Sequence, residues 1–341
     1  MTLRYRHMCP EDVPGCVALV AAHPVIGPRY GKRIADLPVA LLRLLDYTAK
    51  SAIVFEELQG TSIRLWGVGL SIFVGDDFIR ALKTPPLFWI GPELARRIGS
   101  GDSPVLPDRA LREANTRGGL NLLTWEGCIR PEDAGRPETY NKLIQAFMEE
   151  HRGFLWKEII AAQAHSAPAL SSTLKSGGAL FDPVEGAWID PLKSDPREIV
   201  VKPHLIGLDR EIARTRPGSW VGGLFDYEPP RCGFSPGEQR LLLSALGGDT
   251  DEQLSSGLGI SVSGIKKAWR SIYDRVARCL PQLVPEESRR NTWMSERGKE
   301  KKHRLLRYLR EHPEELRPVS RKLLGQEPGR PRGSRQRLRT T

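Results

Sequence analysis

The sequence holds no apolar run approaching the roughly 20 residues that a bilayer-spanning helix needs. Its first residues, Met1-Thr-Leu-Arg-Tyr-Arg-His, lack the apolar stretch of a secretory signal. A location in the cytoplasm, away from any membrane, is the resulting expectation. Cysteine is sparse: Cys9, Cys16, Cys128, Cys232 and Cys279 are odd in number and scattered, with no C-x-x-C pair and no histidine at metal-ligand spacing. That agrees with the cytoplasm, implies no metal site, and reads as buried or idle thiols. A P-loop, a dinucleotide fingerprint and a nucleophile elbow are also missing, and the enzyme classes built on them go with them.

What is present is an ordinary globular composition, 40% hydrophobic and 27% charged, which permits packed cores. The chain of 341 residues is long enough for two domains. Its net charge of +10 is unevenly placed. From Arg231 onward there are 24 Lys and Arg against 13 Asp and Glu, a net of +11, which leaves 27 basic and 28 acidic residues, a net of −1, before it. A basic module joined to a neutral one points to a polyanionic partner for the basic end.

Residues 1 to about 185 alternate strand-like and helix-like patterns. Leu3–His7, Ser51–Glu56, Ile63–Val74, Gly119–Ile129 and Trp156–Gln163 are strand candidates, with a turn at Gln59-Gly60-Thr61. Val17–Ala22, Lys32–Tyr47, Asn141–Arg152 and Pro168–Lys175 are helix candidates. Phe181–Cys232 is poor in regular patterning and rich in Pro and Gly, which reads as a connector partly packed on its neighbours. After Leu280 the chain breaks at Pro281 and Pro285, then resumes as a basic helix candidate, Arg297–Glu311, with Leu305, Leu306 and Leu309 on one stripe. The Pro/Gly/Arg-rich end, Gly325–Thr341, reads as disordered.

Between connector and extension the local signals are dense. Ser235-Pro236-Gly237-Glu238 is a capping box with Pro at the first helical position, where the missing N–H costs nothing. Leu241, Leu242, Ala245 and Leu246 then share a face, and Gly247-Gly248-Asp249 breaks the helix. Thr250-Asp251-Glu252-Gln253 is a second capping box, leading a short helix with Leu254 and Leu258 inward. Gly259 stands where a tight turn needs positive φ, and Ser261 can cap the helix that follows. In that helix Ile265, Ala268 or Trp269, Ile272, Tyr273 and Val276 recur as one buried face, leaving Ser263, Gly264, Lys266, Lys267 and Arg270 on the other. A major-groove reader needs this division, one face held by a core and the other meeting base edges and phosphates.

The order F-S-P-G-E, L-L-x-x-L-G-G-x-T-D-E-Q-L, L-G-I-S-V-S-G-I-K-K-A-W-R-S-I-Y resembles the LuxR-type DNA-binding domain over Phe234–Leu280, 47 residues without a gap. The resemblance implies a bacterial transcription regulator that binds double-stranded DNA, commonly as a homodimer. It makes Lys266 a DNA contact, with Lys267 and Arg270 beside it, and Ser261, Ser263 and Gly264 at the same interface. Gly264 stands where the family usually has Thr, and Ala268 where His is frequent. The family's fourth helix is not recognisable after Leu280, nor is a phosphoacceptor domain of the kind that precedes many such modules. Lys299, Lys301, Lys302 and Arg304 form a second basic cluster suited to auxiliary phosphate contact, followed by Arg307 and Arg310.

The strand and helix order of the first 185 residues resembles the GNAT acetyltransferase fold, with Leu3-Arg4-Tyr5-Arg6 and Glu11-Asp12-Val13 as its opening and Leu65-Trp66-Gly67-Val68-Gly69 in its central hairpin. The family's coenzyme A site requires a Q/R-x-x-G-x-G/A loop of backbone donors at a helix N-terminus. Ile129–Tyr140 occupies that place with one Gly, two Pro and three acidic residues, so coenzyme A binding is at most vestigial and no catalytic residue is assigned. His7, His23, His151, His165 and His204 read as structural or surface histidines, and Glu149-Glu150 as a solvated pair.

The expected fold is therefore α+β: a GNAT-like mixed sheet with flanking helices (1–185), a connector (186–232), an all-α helix-turn-helix domain (233–281) and a basic extension (282–341). The expected function is transcription regulation, with the first domain binding a small molecule or a protein. The alternative is a coenzyme A-dependent N-acyltransferase targeted by its DNA-binding domain.

Overall fold

In the computed structural model the chain forms two compact units, Met1–Glu228 and Pro229–Thr341. Residues 2–164, 177–182, 186–189, 204–216, 218–283 and 295–318 are described. The class is α+β, and the described strands make one eight-stranded mixed sheet.

In the first unit strand β1 (Thr2–His7) leads to helices α1 (Val13–Ala22), α2 (Ile26–Tyr30) and α3 (Leu37–Leu45). The hairpin β2 (Lys50–Gln59) and β3 (Ser62–Val74) turns on Gly60, whose φ of 60° suits the first position of a two-residue hairpin loop. Helices α4 (Asp76–Lys83), α5 (Ile90–Ser100) and α6 (Asp108–Thr116) follow, then β4 (Leu120–Ile129), α7 (Pro137–His151) and β5 (Trp156–Ala164). Strands β6 (Ala179–Asp182), β7 (Ala187–Ile189) and β8 (His204–Asp209), with helix α8 (Arg210–Thr215), complete the unit. The sheet order is β1-β2-β3-β4-β5-β8-β6-β7, and among these pairs only β4 and β5 are parallel.

Alternation along β2 explains the layers. Ala52 and Val54 join a large core with residues of α1, α3 and α5, whereas Ile53 and Phe55 meet Trp66 and Ala146 of α7 in a smaller cluster. Successive side chains of an extended strand point to opposite faces, so helices cover the sheet on both sides. The parallel pairing of β4 with β5 runs only from Leu120 to Leu123; beyond it β4 pairs with β3 alone among the described residues.

Two sequence expectations change here. Lys32–Tyr47 is not one helix: a 3-10 turn (Gly31–Asp36) precedes α3, which restarts with Pro38 in its first turn, where the absent N–H is harmless. The stretch read as a connector contributes β8 and α8, with Leu205 and Leu208 in the main core. Helices α4, α5 and α6 were not anticipated, whereas the candidate helix Pro168–Lys175 and the tail Gly325–Thr341 lie outside the described residues.

In the second unit the capping boxes form as the residues dictate. Ser235 accepts from the Glu238 N–H at 3.4 Å while Glu238 accepts from the Ser235 N–H at 2.8 Å, which starts α9 (Pro236–Leu246). Thr250 and Gln253 do the same at 3.3 and 2.8 Å to start α10 (Asp251–Leu258). Gly259 ends α10 with φ 65°, and Ser261 caps α11 (Val262–Cys279) by accepting from the Gly264 N–H at 3.1 Å. Helix α12 (Ser295–Glu311) and a 3-10 turn (Pro313–Leu316) follow.

The extension belongs to this core. Leu305, Leu306, Leu309 and Leu316 are buried with Leu241, Leu242, Leu254, Ile265, Trp269, Ile272 and Val276. A fourth helix therefore packs on the other three, through the leucine stripe that its sequence shows. Glu315, only 2% exposed, accepts from the Arg231 and Cys232 N–H groups at 3.0 and 2.9 Å and from the Tyr308 hydroxyl at 3.0 Å. Removing that carboxylate leaves buried donors without partners. Glu315→Ala is expected to cost the second unit about 3 kcal/mol. In hydrogen exchange of the full chain, α9 and α11 amides should lose protection while β2 and β3 keep theirs.

Candidate functional site

Helix α11 carries the site. Ile265, Trp269, Ile272 and Val276 are buried at helical spacing, and Ser261, Ser263, Lys266, Lys267 and Arg270 are exposed, with Gly264 partly covered at the first turn. The expected contact residues are thus brought to one exposed surface. Neither Lys266 nor Lys267 is ion-paired to another described residue, and a cation with no internal partner is available to an external anion. Glu238 ties this helix to α9, accepting from Ser271 Oγ at 3.0 Å and facing Arg275 Nε at 3.1 Å.

Ile260 and Val262 are exposed apolar side chains at the start of α11, 42% and 37% accessible. Sequence reading placed them only as matched positions of a motif. The signal was there in Ile260 and Val262 flanking a cap serine, since a core needs neither.

The second basic cluster divides. Lys302 is turned inward: its ammonium lies 4.9 Å above the Trp269 ring and 3.3 Å from Asp251. Arg304 pairs with Glu300, and Lys301 is half-buried. Arg307 and Arg310 are exposed, and the Lys299 side chain lies outside the described residues.

In the first unit the segment between β4 and α7 closes on itself. The N–H groups of Asp133, Ala134 and Arg136 donate to the Arg130, Pro131 and Asp133 carbonyls at 2.9, 3.4 and 3.2 Å. Asp133, almost fully buried, receives Arg64 at 2.8 Å and Arg136 at 3.0 Å, and Glu57 also meets both arginines. These donors and cations are committed within the chain.

Two features of β4 were missed by sequence reasoning. A bulge at Trp125 puts one extra residue against β3 between Leu70 and Ser71. Trp125 and Glu126 both reach the buried Tyr30 hydroxyl, each at 3.2 Å, and Trp125 Nε1 also donates to the Gly91 carbonyl at 3.1 Å. Burial pushes the Glu126 carboxyl up to about 7, against the opposing pull of the Arg29 charge and the Tyr30 hydroxyl. The one carboxylate of the strand was the available signal; the bulge that aims it has no sequence signature.

At the other end of β4 lies an open groove of about 750 Å³, lined in part by Asp76, Glu113, Arg117, Asn121 and Lys157. Asn121 is 97% buried by its 3% exposure, and its Nδ2 donates to Asp76 Oδ1 at 2.7 Å. Its Oδ1 accepts nothing from the described residues. Lys157 closes the pair with Asp76 at 2.8 Å.

His151 and His23 do structural work. His151 is buried, its Nδ1 2.7 Å from the Phe147 carbonyl, so that nitrogen carries the proton and Nε2 accepts from Ser71 Oγ at 2.6 Å. His23 Nδ1 accepts from the Val25 and Ile26 N–H groups at 3.2 and 3.1 Å, and His7 lies 3.6 Å from Glu150. Glu149-Glu150 is not a merely solvated pair: Glu150 accepts from Ser51 Oγ at 2.8 Å, and Glu149 from Tyr5. His165 and the His204 side chain lie outside the described residues. No described helix is long and apolar enough to cross a membrane. No protein-family model, curated protein or solved structure matches the chain.

The Glu126 environment has a pH consequence. A carboxyl raised from 4.5 to about 7 holds its proton more tightly in the folded state, so folding stability falls as pH rises through that window. Glu126→Gln mimics the protonated form. In urea unfolding at pH 5, 6, 7 and 8, the variant should gain on the wild type between pH 5 and 7 and hold a constant advantage above. A pH-independent difference would mean that the carboxyl titrates normally.

Proposed function

We propose that this protein is a DNA-binding transcription regulator whose α9–α11 module is a LuxR-type helix-turn-helix and whose first unit is a GNAT-like domain that binds a ligand or a partner. One observation carries the reading. A serine-capped helix, pinned by Ile265, Trp269, Ile272 and Val276, presents Ser263, Lys266, Lys267 and Arg270 together on its exposed face. Lys266 and Lys267 would neutralise phosphates, while Ser263, Arg270 and the apolar Ile260 and Val262 would meet base edges in the major groove. The excess positive charge of the last third favours the same partner, double-stranded DNA. Pairing as a homodimer would let two such helices read adjacent half-sites.

The GNAT-like reading of the first unit is supported by its sheet, antiparallel from β1 to β4, with one parallel pair at β4 and β5 that separates past Leu123. A role in sensing rather than acyl transfer is favoured by the closed segment after β4, whose N–H groups and arginines answer to Asp133, Glu57 and neighbouring carbonyls. Coenzyme A pyrophosphate would meet carboxylates there instead of open donors. The groove at Asn121 offers a place for a small polar ligand, with one unfilled acceptor and charges of both signs at its rim.

Acyl transfer is the second reading, and Glu126 is the observation that favours it. A carboxyl titrating at about 7 suits a general base for an amine acceptor. Calorimetry with acetyl-coenzyme A separates the two: binding with turnover of an amine would favour the enzyme, and heat indistinguishable from dilution the regulator.

The DNA reading is tested with the full chain and a random duplex across a salt series. Lys266→Ala/Lys267→Ala should weaken binding and lower the slope of log K against log salt by about two, roughly one for each phosphate contact removed. Lys302→Ala, whose side chain is turned inward, should change the slope far less. Equal slopes for the wild type and the double variant would remove α11 from the interface.

A further inference from the structure

Cys232 and Cys279 are 47 residues apart in the sequence, yet their free thiols meet with the Sγ atoms 2.6 Å apart. That is only about half an ångström longer than a disulfide bond of ~2.05 Å. Cys232 precedes α9 and is buried; Cys279 ends α11 and is half-exposed. Neither position is loosely held. The Cys232 N–H is bound by Glu315 at 2.9 Å, and Arg275 reaches the Cys232 carbonyl at 3.4 Å. Cys279 Sγ also lies 3.2 Å from the Arg275 carbonyl, one turn back in its own helix. The backbone at both ends is therefore positioned before any bond forms.

We propose that Cys232 and Cys279 are a redox modification site, oxidised by hydroperoxides to an intramolecular disulfide that fastens the segment before α9 to the end of α11. The two thiols have distinct roles. Burial pushes the Cys232 thiol up, which leaves it the poorer first nucleophile, and Cys279 is the more accessible. The Cys279 thiolate attacks the terminal peroxide oxygen, the O–O bond breaks, and the alkoxide or hydroxide released takes up the proton that Cys279 gave. The product is a sulfenic acid on Cys279. Cys232 then attacks that sulfur: the S–S bond forms, the S–O bond breaks, and hydroxide leaves with the Cys232 proton as water. The thiol pair loses two electrons, and the peroxide gains them.

The bond would close a loop that contains α9, α10 and nearly all of α11. A cross-link of that span removes conformations from the unfolded chain and stabilises the folded unit. Glu315 already holds the same segment to the turn after α12 by hydrogen bonding, and the disulfide would add a second tie, to the end of α11, that does not depend on what α11 binds. Cys9, Cys16 and Cys128 belong to the first unit and serve as internal controls.

The test uses the reduced full chain, treated with hydrogen peroxide, then denatured and alkylated with a maleimide. The expected result is that three of the five thiols remain alkylatable, with one linked peptide joining Cys232 to Cys279 that a dithiol reductant reverses. Amides of α9 and α11 should exchange about tenfold more slowly, or slower still, in the oxidised form. Cys232→Ser and Cys232→Ala should each abolish the link and leave Cys279 sulfenic acid to be trapped by dimedone, with circular dichroism confirming the fold. Five alkylatable thiols after peroxide, a link through any other cysteine, or a link that persists in either Cys232 variant would overturn the proposal.

Discussion

The second unit depends on the burial of one face of α11. A helix can offer polar side chains to a partner in fixed geometry only if its opposite side is held, and Ile265, Trp269, Ile272 and Val276 supply that hold. At roughly 1.5–3 kcal/mol for each large apolar side chain taken from water, this stripe outweighs the helix's own marginal propensity. The dependence runs outward from there. The capping boxes of α9 and α10 fix the surfaces against which α11 packs, Gly259 sets the angle of its arrival, and α12 lays its leucines over the remaining apolar surface.

How much of this was legible varied with how local the cause was. The caps at Ser235, Thr250 and Ser261, the turn at Gly259 and the two faces of α11 all follow from residues within a few positions of each other, and each forms as the sequence implies. The strands β1 to β5 were legible because alternation is also local. Strand β8 was not: its six residues gain a partner only when β5 and β6 come alongside, and no short-range pattern announces that. The cysteines make the same point more sharply. Their scatter read as idleness, but Cys232 and Cys279 meet because α9, α10 and α11 fold back through 47 residues.

The first unit shows a comparable division between its two ends of β4. Near Leu120 the strand is paired on both sides and leaves a groove with a buried, half-satisfied Asn121. Past Leu123 it keeps only β3 among the described residues, and the bulge at Trp125 directs Trp125 and Glu126 to the same hydroxyl. An extra residue in one strand breaks the simple alternation of faces, and a carboxylate otherwise destined for one side ends in a site that raises its proton affinity. The segment that follows is held by Asp133 between Arg64 and Arg136, a buried anion that makes those arginines structural.

Positive charge by count does not separate structural cations from available ones, and the second unit makes the distinction physical. Lys302 and Lys266 are the same residue type in basic stretches of amphipathic helices. Lys302 lies over Trp269 and beside Asp251, so its charge is already balanced, and moving it to a phosphate would expose the indole face and strip Asp251 of its partner. Lys266 is exposed and ion-paired to no described residue, so meeting a phosphate costs it little beyond its hydration and some rotamer freedom. The two lysines differ by everything their neighbours have already claimed. A basic surface is therefore read by subtracting the cations that the fold consumes, and on α11 Lys266 and Lys267 remain after that subtraction, beside an apolar pair, Ile260 and Val262, that the core has also left outside.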